Sequence, residues 1–115
     1  MRRVLAAMLL AVALGSHAQG GPVPAVQALL EAIESSGCQM ERNGQLHDAK
    51  AAAAHLRMKL ENSGRVSMPA EQFIDRIASG SSISGTPYRV HCAGQPPVDS
   101  GAWLRARLVG IEPKR

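Results

Sequence analysis

Apolar positions fall along this chain with three different periods. Residues 4–14 form an unbroken apolar run of 11 residues behind Arg2 and Arg3. From Pro24 the spacing turns helical. Val26, Leu29, Leu30 and Ile33 line one face, and Gly37 supplies a C-terminal stop, which predicts a helix over 24–36. A short strand over 39–42 then runs into Asn43-Gly44, a strong turn signal. Residues 49–62 are rich in alanine and straight-chain residues, the best helix formers, with Asp48 as N-cap. Ala49, Ala52, Ala53, Leu56 and Leu60 share the buried face of that helix. A third helix starts at a Ser67 or Met68 cap with Pro69 in its first turn. It buries Phe73, Ile74 and Ile77 and closes at Gly80. After a loop over 81–86, residues 88–92 alternate as a strand. Asp99 or Ser100 caps a last helix that turns Trp103, Leu104 and Leu108 inward. The order α-β-α-α-β-α predicts a small, helix-rich α+β fold, a single domain over 24–111, with two short strands paired.

The N-terminal run reads as an export signal. The basic start, the apolar stretch and the small-x-small pattern Ser16-His17-Ala18 predict cleavage before Gln19. An apolar run of 11 residues falls well short of the ~20 that span a bilayer. No cysteine follows it directly, which argues against a lipid anchor. The expected product is a periplasmic domain of 97 residues with no stable membrane insertion. Its flexible start would cover 19–23 and its flexible tail 112–115. Two of the 13 basic residues leave with the signal, so 11 face 9 acids and the net charge is +2. That surface carries no nucleic-acid footprint. In an oxidising compartment Cys38 and Cys92 are expected to form a disulfide that staples the two strands. The loop closed is long enough for an entropic stabilisation of ~4 kcal/mol, less any native strain. The rival, a metal site of Cys38, Cys92 and His91, lacks paired ligand spacing.

Four polar clusters could carry chemistry. Arg42-Asn43-Gly44 is at least a turn with an exposed arginine. His55 and Lys59 lie four apart on one helix face and make a useful pair only if they share an anion. The serine- and glycine-rich segment 79–88 is either a helix stop and turn or a cradle of free N–H groups for an oxyanion. His47-Asp48 suggests acid–base or metal chemistry, although Asp48 is already accounted for as an N-cap. No P-loop, dinucleotide fingerprint, H-E-x-x-H or nucleophile elbow is present, so no cofactor is expected.

Arg42-Asn43-Gly44, Ala54-His55-Leu56-Arg57 with Lys59, residues 70–75, Ala78-Ser79 and residues 81–88 together resemble the YfeK-like family of small exported bacterial proteins. The likeness covers about residues 25–108. It implies a periplasmic location and no assigned activity. Pairing of the two strands would bring Arg42 to the serine loop, with His55 and Lys59 alongside. The candidate binding residues are therefore Arg42, Asn43, His55, Lys59, Ser82, Ser84 and Tyr88. The expected function is a non-enzymatic binding or interaction module with an anion-accepting patch. Its partner would be an envelope protein or a small anionic ligand. One alternative is a small hydrolase using Ser82 or Ser84 with His55. Another is metal handling by His47, His55 and His91 with Met40, Met58 and Met68.

Overall fold

A computed structural model of the protein describes residues 20–112. The expected signal peptide, its cleavage site and residues 113–115 of the expected tail lie outside the described residues. The described chain runs α1 (Pro24–Glu34), β1 (Gln39–Arg42), β2 (Gln45–His47), α2 (Ala49–Asn62), α3 (Ala70–Phe73), β3 (Arg89–His91), β4 (Val98–Asp99) and α4 (Ser100–Ile111). The strands form one antiparallel sheet in the order β2-β1-β3-β4. The helix-rich α+β fold is as expected, with four strands where two were predicted.

The helix boundaries have local causes. α1 stops at Glu34 because Ser35 and Ser36 turn their hydroxyls back onto the carbonyls of Glu31 and Ile33, each at 2.8 Å. α2 has the predicted limits, and Asp48 caps it by accepting from the Ala51 N–H at 2.8 Å. Its alanine and leucine face is buried, apart from Ala49 at the rim. The cap of α3 is Pro69, neither Ser67 nor Met68. Pro69 sits in an extended conformation and its carbonyl accepts the first helical bond, from Phe73, while Met68 is drawn into the core. α3 then widens into a π-helical turn, Ile74–Ala78. The Ser79 hydroxyl donates to the Ile74 carbonyl five residues back, at 2.6 Å, and so satisfies one of the acceptors left by the wide turn. Asp99 occupies the cap position of α4 but its side chain does not cap; its carboxylate pairs with Arg89 instead.

The two unpredicted strands are short. β2 exists because Asn43 and Gly44 both adopt positive φ, the geometry of the tightest hairpin, and fold residues 45–47 back onto β1. β4 is a two-residue edge with no apolar alternation to reveal it.

The central pair β1–β3 organises everything else. Its register sets Met40 opposite Val90. Continued in both directions, that register sets Cys38 opposite Cys92 and Arg42 opposite Tyr88. Side chains alternate between sheet faces, so these three pairs share one face. It is the face covered by helices: Met40, Val90 and Tyr88 are buried there with Leu29, Leu30, Leu56, Phe73 and Leu104. The staple is formed, with Cys38 and Cys92 bonded and their Cα atoms 4.5 Å apart, the separation of a non-hydrogen-bonded antiparallel pair. The other face carries Gln39, Glu41, Arg89 and His91 and stays partly open to solvent.

Candidate functional site

At the end of the ladder away from the disulfide, four polar side chains meet. Arg42 arrives from β1 and Tyr88 from the residue before β3. His55 and Lys59 come from successive turns of α2, as their four-residue spacing requires. Lys59 donates to the carbonyls of Ile77 and Gly80 at 2.7 and 2.9 Å and to the Tyr88 hydroxyl at 2.9 Å. Three ammonium protons thus meet three protein acceptors. Lys59 therefore clamps the end of the π-helical turn, and its ammonium has no donor left over. It also lies 4.7 Å from the centre of the Tyr88 ring. Gly80 is needed where Lys59 reaches it, because a Cβ there would stand 2.7 Å from the Thr86 carbonyl oxygen.

Arg42 differs from Lys59. One of its amino nitrogens lies 3.3 Å from His55 Nε2, while its Nε is buried with no hydrogen-bond partner among the described residues. A guanidinium only donates, so His55 Nε2 must hold a lone pair and the imidazole carries its proton on Nδ1. The Tyr88 hydroxyl stands 3.5 Å from the same nitrogen, and the two rings meet edge to face. Burial lowers the His55 pKa below its ordinary value, and the positive charges of Arg42, Lys59 and, more weakly, His47 lower it further. The neutral ring is the form this environment selects.

Above these groups opens a cleft of about 240 Å³, completed by Asn43, Ser81, Ser82 and Ile83. It brings together six of the seven residues named from sequence. Ser84 stands next to it, with its Oγ 3.4 Å from Asn43 Oδ1 and 3.0 Å from Thr86 Oγ1. No acidic side chain lines this cleft. Glu41, one residue from Arg42, projects from the opposite sheet face and holds His91 at 2.7 Å.

Three expectations meet a different local geometry. The serine loop is no cradle of free N–H groups. The amides of Ile83 and Ser84 donate to Ser81 Oγ, that of Gly85 to the Ser81 carbonyl, that of Thr86 to Ser84 Oγ and that of Ser81 to the Thr86 carbonyl. These five amides are engaged within the loop, and that of Ser82 alone over 81–86 has no partner among the described residues. The hydrolase arrangement is not assembled either, because His55 Nε2 faces Arg42 and Tyr88 and neither Ser82 nor Ser84. Nor do the residues named for metal handling form a cluster. Met40 and Met68 are core residues, Met58 is half-exposed, and no three His, Cys, Asp or Glu among the described residues gather to hold an ion. Cys38, which the rival metal site required, is in the disulfide. Reading the sequence missed two arginines beside the site, Arg65 and Arg76. For Arg76 the only signal was the lack of a facing acid, with Gln72 and Gly80 at helical spacing; Arg65, four residues after Glu61, gave none.

Comparison with known proteins gives the chain relatives but no activity. A family described as being of unknown function, DUF5329, matches residues 22–112. Over 64 residues the chain is 44% identical to a protein of Salmonella typhimurium named Uncharacterized protein YfeK. That match takes in 55% of this chain and 53% of the relative, so it spans about half the relative's length. No solved structure matches.

Proposed function

The chain belongs to the DUF5329 family, whose function is unknown, and we propose that it is a non-enzymatic binding module whose cleft at Arg42 accepts an anionic group, phosphate or carboxylate. The observation that carries this reading is the charge of the cleft. Arg42 and Lys59 line it, no acid does, and the Arg42 Nε is buried without an acceptor. A buried donor left unpaired is costly, and an oxyanion is the acceptor that a guanidinium fits best. Arg42 would make the direct contact. The Lys59 charge attracts through space while its protons stay engaged, and Ser82 adds a hydroxyl at the rim. The module acts outside the cytoplasm, exported by its N-terminal signal. That reading is supported by the disulfide and by the fact that no helix among the described residues is long and apolar enough to cross a membrane.

The test is an NMR titration of the oxidised protein with orthophosphate, following the His55 and Tyr88 ring signals. Saturable shifts that vanish in Arg42→Ala are expected. Signals that ignore phosphate and a simple carboxylate such as acetate would defeat the reading.

A further inference from the structure

The cleft at Arg42 has a neighbour. On the other side of Lys59 and Ser82 a second cleft of about 440 Å³ opens, lined by Lys59, Asn62, Arg65, Arg76 and Ser82 among others, again with no acid. The two clefts share Lys59 and Ser82 as a common wall. The distribution of charge over the molecule makes this pairing unusual. Elsewhere three arginines are matched, Arg57 with Glu34, Arg89 with Asp99, and Arg105 with Glu71 and Asp75, while Arg107 stacks on the Trp103 ring. A third cleft, beside Arg105, is lined by Asp75 and Asp99 as well as by arginines and is therefore mixed in sign. Arg65 and Arg76 form no ion pair among the described residues, and both are exposed. Arg42, Lys59, Arg65 and Arg76 thus gather around one serine, and no acid lines either of the two clefts, although Arg76 also borders the mixed cleft.

We infer that the ligand is a linear anion with at least two phosphate or carboxylate groups, one held at Arg42 and the next at Arg65 and Arg76, its chain passing over Ser82. This rests on the proposed anion site at Arg42 and adds a second subsite to it. A single small anion fills one cleft and leaves the two arginines of the other unmatched. A chain carrying regularly spaced charges satisfies both. Lys59 between them contributes its charge to each without moving, because its protons are held by Ile77, Gly80 and Tyr88.

Isothermal titration of the oxidised full chain with orthophosphate and with tripolyphosphate, at equal ionic strength, tests this. Tripolyphosphate is expected to bind about tenfold tighter or more, the scale of one or two added charge-assisted hydrogen bonds. Arg65→Ala/Arg76→Ala should remove that advantage and leave orthophosphate binding unchanged, whereas Arg42→Ala should weaken both. Lys50→Ala/Arg107→Ala removes the same charge from residues that line neither cleft and should preserve the advantage. If that control variant loses as much as Arg65→Ala/Arg76→Ala, net charge and not a second subsite is responsible, and the inference falls. It falls alone if orthophosphate binds but tripolyphosphate gains nothing. If orthophosphate does not bind at all, the site at Arg42 falls, and the bridging ligand with it.

Discussion

The two ends of the β1–β3 ladder face the same helices and solve opposite problems. At one end Cys38 and Cys92 close the pair covalently and ask nothing more of their surroundings. Two rungs on, past Met40 and Val90, Arg42 and Tyr88 bring polar groups to the edge of the core. There the guanidinium finds one neutral nitrogen, on His55, and keeps an idle buried Nε. Leaving a donor unpaired lowers stability, and a small domain tolerates that only if something offsets it. The disulfide on the same strands contributes stability of the kind that can offset it. Covalent closure and unpaired polar groups thus stand at opposite ends of one ladder.

Removing the closed end gives the largest expected effect. Cys38→Ala/Cys92→Ala should lower the unfolding free energy by up to ~4 kcal/mol, read by urea denaturation at Trp103 fluorescence. A loss below ~1 kcal/mol would mean that the two ends do not differ in the way described.

The open end is itself divided, which a second pair of variants sharpens. Lys59→Met strands the carbonyls of Ile77 and Gly80 at the end of the π-helical turn and should cost about 2–3 kcal/mol. Arg42→Ala removes a side chain whose only hydrogen bond among the described residues is to His55, and takes its unpaired Nε with it. Its stability should stay within ~0.5–1 kcal/mol of the parent. Equal losses in the two variants would erase the distinction between a structural clamp and a cation held ready for a ligand.

That distinction marks how far the sequence could be read. Both members of the ladder were visible in it, because Cys38, Met40 and Arg42 alternate as Tyr88, Val90 and Cys92 do, and the cysteines set the pairing. The meeting of Arg42, His55, Lys59 and Tyr88 followed from that pairing and from helical spacing on α2. What Lys59 does there was not visible. Besides the Tyr88 hydroxyl its acceptors are two backbone carbonyls, of Ile77 within the π-turn and of Gly80 just beyond it, and neither residue type nor spacing announces them. The internally bonded serine loop was hidden for a similar reason, since its bonds depend on which hydroxyl turns toward which amide. β2 and β4 escaped because two or three residues are too few to show a period. Arg65 and Arg76 stood out only once the cleft they both line was found to hold no acid.

The smallest expected effect concerns His55, and it tests the open end without cutting it away. Its pKa in the folded protein lies below the ordinary 6.5, through burial first and then through the charges of Arg42, Lys59 and His47. The unfolded chain therefore takes up a proton more readily than the folded one. The stability tied to the neutral ring is complete above pH 6.5 and is lost as the pH falls through the lower folded value. Melting curves should show the parent losing more between pH 7 and pH 5 than His55→Gln, which has nothing to titrate at that position. An NMR titration should place the His55 midpoint below 6.5. Bound orthophosphate must then raise that midpoint, because an anion beside Arg42 offsets the positive charge that holds it down. A midpoint that phosphate leaves in place would show that the idle guanidinium is only a cost borne by the fold, and the two ends of the ladder would differ in stability alone.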